Sequence, residues 1–134
     1  MVDASEAPRP RPQYCLHIRS APYGTSGPAE AYRVVQTMFA FDHAVTVLFT
    51  DDGVLSLVRG ADPAPIGMRP LSEAFSELGG LWGVDIAVHR ESLEERGLST
   101  DDLVPHQEDA PPYRLVRTSE LEALLASHKA ILRF

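Results

Sequence analysis

The feature that most constrains this chain is the run AVTVLFT at residues 44–50, β-branched and aromatic with hardly a polar side chain. A strand with one wet face alternates apolar and polar residues, whereas a near-continuous apolar run marks a strand buried on both faces of a parallel sheet. Parallel neighbours need crossover connections, usually helical, and the flanking sequence supplies the period. Residues 29–41 carry apolar side chains at helical spacing behind Pro28, in the favoured first-turn position, with Ser26 or Gly27 available as the cap. Residues 70–81 have a proline start, a helical stripe and a glycine stop, and residues 91–96 end at Gly97. Residues 120–128 are amphipathic behind Thr118 or Ser119 as the cap. Residues 54–59 read as a short helical turn. Between these segments, residues 14–19, 84–89, 113–117 and 130–134 read as further strands. The alternation predicts an α/β fold: a single domain with a mostly parallel five-stranded sheet, right-handed crossovers and helices on both faces.

Composition narrows the classes of function. A chain of 134 residues, 44% hydrophobic and 23% charged, is expected to bury one core. Residues 1–13 are polar and rich in Pro and Ala, which predicts a flexible tail ahead of a domain over residues 14–134 rather than a secretory signal. No apolar run is long enough to span a bilayer, so no membrane association is expected. One cysteine cannot close an internal disulfide, and a lone thiol suits a reducing compartment, so a cytoplasmic location is expected. The net charge of −7, from 19 acidic against 12 basic residues, lacks the basic footprint of a phosphate-backbone binder, so no direct nucleic-acid contact is expected. The patches at 61–65 and 99–112 read as loops inside the domain.

Ligands of such folds sit at the carboxyl ends of the strands, which directs attention to the loops after the first three. Residues 21–27 hold two glycines and two hydroxyls ahead of a helix, a setting that can hold an anion on backbone amides. Without a Walker lysine or the glycine spacing of a dinucleotide site, the loop reads as a tight turn. Cys15 and His17, two apart on a strand, share a face. Two ligands do not make a metal site, and the pair reads as a core cysteine beside a hydrogen-bonded histidine. His43, His89, His106 and His128 show no metal spacing, and no metal or other cofactor is expected. Asp51-Asp52-Gly53 could offer paired carboxylates but reads as turn chemistry. Gly24-Thr25-Ser26-Gly27 has the wrong spacing for a nucleophile elbow. Glu94, Glu95 and Arg96 read as a solvated charge run. Phe39, Phe41, Phe75, Leu81 and Trp82, on short helices or their ends, exceed what a small core need hide, which makes Phe75, Leu81 and Trp82 interface candidates.

Four short motifs, in this order and spacing, resemble one family: Ala21-Pro22-Tyr23-Gly24-Thr25, Asp52-Gly53-Val54, Ser92-Leu93-Glu94-Glu95-Arg96-Gly97-Leu98 and Ile131-Leu132-Arg133-Phe134. The chain resembles the DsrE/DsrF-like family, and within it the DsrF/TusC branch of sulfur-relay subunits. The resemblance implies a DsrE-like, flavodoxin-like three-layer fold, with Tyr23, Gly24, Thr25, Asp52 and Gly53 in the binding loops. It implies a cytoplasmic heterohexamer of three related subunits, each present twice. The partners would be DsrE/TusD-like and DsrH/TusB-like sister subunits, and persulfide sulfur would pass to a DsrC/TusE-like carrier, for sulfur oxidation or tRNA thiolation. The family carries that sulfur on a cysteine after the third strand, just ahead of the S-L-x-x-R-G segment, and here His89 occupies that place. An imidazole cannot hold a persulfide, which needs a thiolate to attack and a thiol to leave. The expectation is a non-catalytic subunit of a sulfurtransferase complex. Its alternatives are a carrier using Cys15 itself and a stand-alone homo-oligomeric small-molecule binder.

Overall fold

The computed structural model describes residues 14–104 and 113–134; the expected tail at 1–13, His106 and residues 105–112 of the expected loop lie outside the described residues. The five strands are β1 (Tyr14–Ile18), β2 (Val45–Phe49), β3 (Asp85–His89), β4 (Arg114–Val116) and β5 (Ala130–Arg133). They pair in parallel throughout, in the order β4-β3-β2-β1-β5. The apolar run becomes the central strand, with all five residues of β2 buried. The helices are α1 (Gly27–Ala40), α2 (Leu71–Gly80), α3 (Arg90–Glu95) and α4 (Thr118–Ala126).

Crossover handedness decides which face each helix covers. From β1 to β4 every step lands on the next neighbour in the same direction, so right-handed connections put α1, α2 and α3 on one face. There Val35, Phe75, Leu78 and Leu93 pack with Leu16, Val47, Phe49 and Val88 in the main core. The step from β4 to β5 runs back across the sheet, and the same handedness sends α4 to the opposite face. On that side half-buried Leu121, Leu124 and Leu125 cover a small cluster of Cys15, Leu48, Ala87 and Val116. The cover is thin: α4 has nine residues and none is fully buried.

Phe75 is not an interface residue. The stripe Leu71, Phe75 and Leu78 of α2 faces the sheet, and the Phe75 ring meets Phe49 and Tyr32 edge-on at 5.0 and 5.6 Å with no exposure. Leu81 and Trp82, just past α2, do face outward, 69% and 44% exposed. The Trp82 ring lies 5.3 Å from Phe39 near the end of α1.

Two helix starts differ from expectation. Ser26 holds the cap position of α1 but its side chain makes no capping bond. Helix α4 begins at Thr118 itself, and neither Thr118 nor Ser119 is the cap. Instead Glu91 reaches across from α3 to accept the Thr118 amide at 2.7 Å, while Glu120 accepts that of Arg117 at 2.9 Å. A carboxylate distant in sequence does the capping because negative charge is favoured at a helix start.

The expected turn after β2 is a 3-10 helix, Asp51–Leu57, pressed onto the end of β1. A Cβ at Gly53 would lie 2.0 Å from the Ile18 carbonyl oxygen, so only glycine fits. Gly24, at φ +86, has open space around it. Gly53→Ala should cost about 2 kcal/mol or more of stability by overpacking. Gly24→Ala, which carries only the left-handed backbone penalty, should cost about 1 kcal/mol. Urea denaturation of the two variants beside the parent measures both.

Candidate functional site: a crevice closed by His89

Strands β3 and β4 are neighbours, yet α3 leaves toward one face of the sheet and α4 toward the other. Divergent exits of this kind open a crevice at the strands' carboxyl ends, where open α/β sheets bind their ligands. In this chain side chains bridge it. His89, the last residue of β3, places Nδ1 2.5 Å from Ser92 Oγ and Nε2 2.7 Å from Thr118 Oγ1. The Ser92 hydroxyl also accepts the Asp51 amide at 2.8 Å. One buried imidazole therefore ties β3 to α3, to the start of α4 and, through Ser92, to the loop after β2.

The polar row continues along the same face. Thr50 donates to Asp51 Oδ2 at 2.9 Å and accepts from His17 Nε2 at 2.7 Å. Because the single hydroxyl proton is committed to the carboxylate, His17 carries its proton on Nε2, and its buried Nδ1 has no hydrogen-bond partner. Burial, with Arg19 and Arg133 nearby, pushes the His17 imidazole down to about 4, so the ring is neutral near pH 7.

The two aspartates after β2 serve different partners. Asp51 sits at φ 53 and faces Arg19 at 3.5 Å; the Thr50 hydroxyl, followed by Arg19 against a burial penalty, holds its carboxyl below the usual range. Asp52 Oδ1 accepts from Arg96 Nε and Nη2 at 3.1 and 3.0 Å, while Arg96 Nη1 reaches the Ser92 carbonyl at 3.1 Å. The turn reading of Asp-Asp-Gly therefore stands over a shared-carboxylate site. Arg96 is a link between the β2 loop and α3, while Glu94 and Glu95 stay exposed.

The remaining sequence candidates fall at the same edge or beneath it. The Tyr23 hydroxyl accepts the Leu71 amide at 3.0 Å and so completes the start of α2, and Thr25 donates to the Ala21 carbonyl at 2.7 Å. Tyr23, Gly24 and Thr25 thus support α2 and their own turn, whereas Asp52 and Gly53 engage α3 and β1. Cys15 lies in the middle of the sheet under α4 with no exposure. Burial, reinforced by Asp85, pushes its thiol up to about 11. A reactive cysteine needs the opposite environment. The Ser92–His89 pair offers no nucleophile either: Ser92 is buried and holds the Asp51 amide, and the far nitrogen of His89 meets a threonine rather than a carboxylate. Among the described residues no group of three or more His, Cys, Asp or Glu could hold a metal ion. Thr50 and Glu91 escaped sequence reasoning, which met Ser92 only inside a family motif and Thr118 only as a cap candidate; the signal the four share is position, at or just beyond a strand's carboxyl end.

The fold and this edge define a small single-domain parallel α/β protein whose switch-point crevice is tied shut by its own side chains. The chain belongs to the DsrE/DsrF-like family, whose model matches residues 13–134. It is similar to the "Intracellular sulfur oxidation protein DsrF" of Allochromatium vinosum, 51% identical over 86 residues, a match covering 64% of this chain and 63% of that protein. It is also similar to the "Protein TusC homolog" of Vibrio vulnificus, 29% identical over 118 residues, covering 87% of this chain and 94% of that protein. These similarities put it in the DsrF/TusC branch. Among solved structures, the ychN protein of E. coli shares the fold at a TM-score of 0.75, with 17% identity over 92% of this chain and 100% of that one. A protein of unknown function from Methanobacterium thermoautotrophicum does so at 0.66, with 18% identity over 91% and 98%. No helix among the described residues is long and apolar enough to cross a membrane.

The His89 ties are structural, and removing them has a measurable cost. His89→Ala strands Ser92 and Thr118, and by the usual cost of a lost buried hydrogen bond it should lower unfolding stability by about 1–3 kcal/mol. Thr25→Ala, at an exposed turn, should change it by less than about 0.5 kcal/mol. Equilibrium chemical denaturation of both variants checks the contrast.

Proposed function

We propose that this chain is a non-catalytic, DsrF/TusC-like subunit of a hetero-oligomeric sulfur-relay complex, in which sister subunits carry the persulfide. The observation that carries this reading is where the thiol is and is not. The crevice position at which the resemblance implies a carrier cysteine is His89, an imidazole with both nitrogens engaged. The one cysteine, Cys15, is sealed in the sheet with its thiol pushed up to about 11. Sulfur transfer requires a thiolate that a donor can reach. Neither position supplies one, which weighs against Cys15 as a carrier.

The role left is assembly, with DsrE/TusD-like and DsrH/TusB-like subunits as partners and a DsrC/TusE-like protein as the acceptor they serve, in the cytoplasm. Leu81 and Trp82, exposed beside Phe39, are the contact residues the reading favours. The 51% identity to a sulfur oxidation protein, against 29% to a TusC homologue, favours sulfur oxidation over tRNA thiolation.

Mass spectrometry of the full chain after incubation with inorganic polysulfide tests the reading. No stable gain of sulfur is expected on the chain alone, and co-expression with the two sister subunits should give one complex containing all three on size exclusion. A gain on Cys15 that disappears in Cys15→Ser, or elution of this chain alone while the sisters associate without it, would overturn it.

A further inference from the structure

Helix α1 is apolar on more than one side. Ala31 and Val35 are buried against the sheet, with Met38 packed beside them. Ala29, Tyr32 and Phe39 form a second row, one, two and four turns along the helix, and they stay half-buried or exposed. A trough of about 320 Å³ lies between this row and α2, floored by the buried Leu71 and Ala74 and walled by Tyr32 and Met68. Three residues beyond Gln36, which also lines it, the Phe39 ring meets Trp82, and Leu81 is exposed beside them. The apolar strip from Ala29 to Phe39 is therefore about 15 Å long at the rise of an α-helix.

The polar groups of the trough are donors in want of an acceptor. Arg33 stands at its rim, exposed, and its guanidinium makes no hydrogen bond or ion pair with the described residues, although Glu30 is one turn away. Arg69, at the opposite rim, is already held by Glu77. Gln36 donates to the Tyr32 hydroxyl at 3.2 Å, which leaves the phenol proton free to donate in turn. In a chain of net charge −7 the rim thus keeps one cation without a counter-charge. A carboxylate answers both the guanidinium and the phenol, and a cationic partner would be repelled.

We propose that the trough between α1 and α2 seats an amphipathic helix of a sister subunit, with apolar side chains over Tyr32, Met68 and Ala74 and a carboxylate reaching Arg33. This rests on the assembly reading above and adds where the contact is made and by what chemistry. An extended segment would find no backbone partner here, because the open sheet edges belong to β4 and β5. A helix satisfies its own backbone and packs its ridge into the groove between two others. About ten residues, three turns, cover the strip, with anchors at i, i+3 or i+4, and i+7. The far end of that helix then falls on Phe39 and Trp82.

The complex of the full chain with the two sister subunits provides the test. Arg33→Glu should weaken assembly by about tenfold or more at low salt, while Arg33→Lys, which keeps the charge, stays near the parent. Arg33→Lys also adds an amine to a chain whose one lysine is Lys129. A carbodiimide, which takes up water as it condenses an amine with a touching carboxylate to an amide, should link that amine to an acidic residue on a helix of a sister subunit, read by mass spectrometry. Parental assembly of Arg33→Glu overturns the inference and leaves the assembly reading standing. So does an intact Arg33→Lys complex with no such link, or with a link to a second copy of this chain in its place. Should Arg33→Glu not fold, the link alone decides. If the parent chain forms no complex with the sisters, the assembly reading and this inference fall together.

Discussion

The handedness of the crossovers governs the molecule. Three right-handed connections in one direction load α1, α2 and α3 onto one face, and the single return from β4 to β5 leaves only α4 for the other. The consequences are a deep core on one side, a thin cover on the other and a crevice where α3 and α4 part. The parent architecture places ligand chemistry in that crevice. Here it holds a histidine whose two nitrogens reach Ser92 in the first turn of α3 and Thr118 at the start of α4.

Such a bridge has a physical logic. A crevice lined by Thr50, Ser92 and Thr118 presents hydroxyls that need partners once water is excluded. His89 supplies two hydrogen-bonding positions from one rigid ring, and Ser92 relays the tie to the Asp51 amide. A thiol at the same position is a much weaker donor and acceptor and would leave more of the row unmet. The imidazole at this position is thus well suited to stitching the edge together, in keeping with the assembly role proposed above.

The strand–helix alternation was legible because β2 buries both faces and therefore shows an unbroken apolar run, and because prolines and glycines mark the starts of α1 and α2 and the end of α3. Phe75 was not: an aromatic on an amphipathic helix reads the same whether its stripe meets the sheet or a partner, and only the turn of α2 onto Phe49 distinguishes them. The cap of α4 was missed because Glu91 is far from Thr118 in sequence. Cys15 beside His17 on one face was read correctly as core, yet the partner of His17, Thr50, came from strand register. His89 was visible only as a departure from the family motif; its role depends on two elements that meet by topology.

The central proposal is that this chain shapes a sulfur relay without handling sulfur. The most direct measurement is the rate at which a complex assembled from this chain and the two proposed sister subunits passes sulfur to the proposed small carrier protein, with Cys15→Ala in this subunit alone. The account predicts parental transfer by an intact complex, because a buried thiol held in its protonated form contributes packing and no chemistry. Loss of transfer from a complex that still assembles with the parental stoichiometry would contradict it.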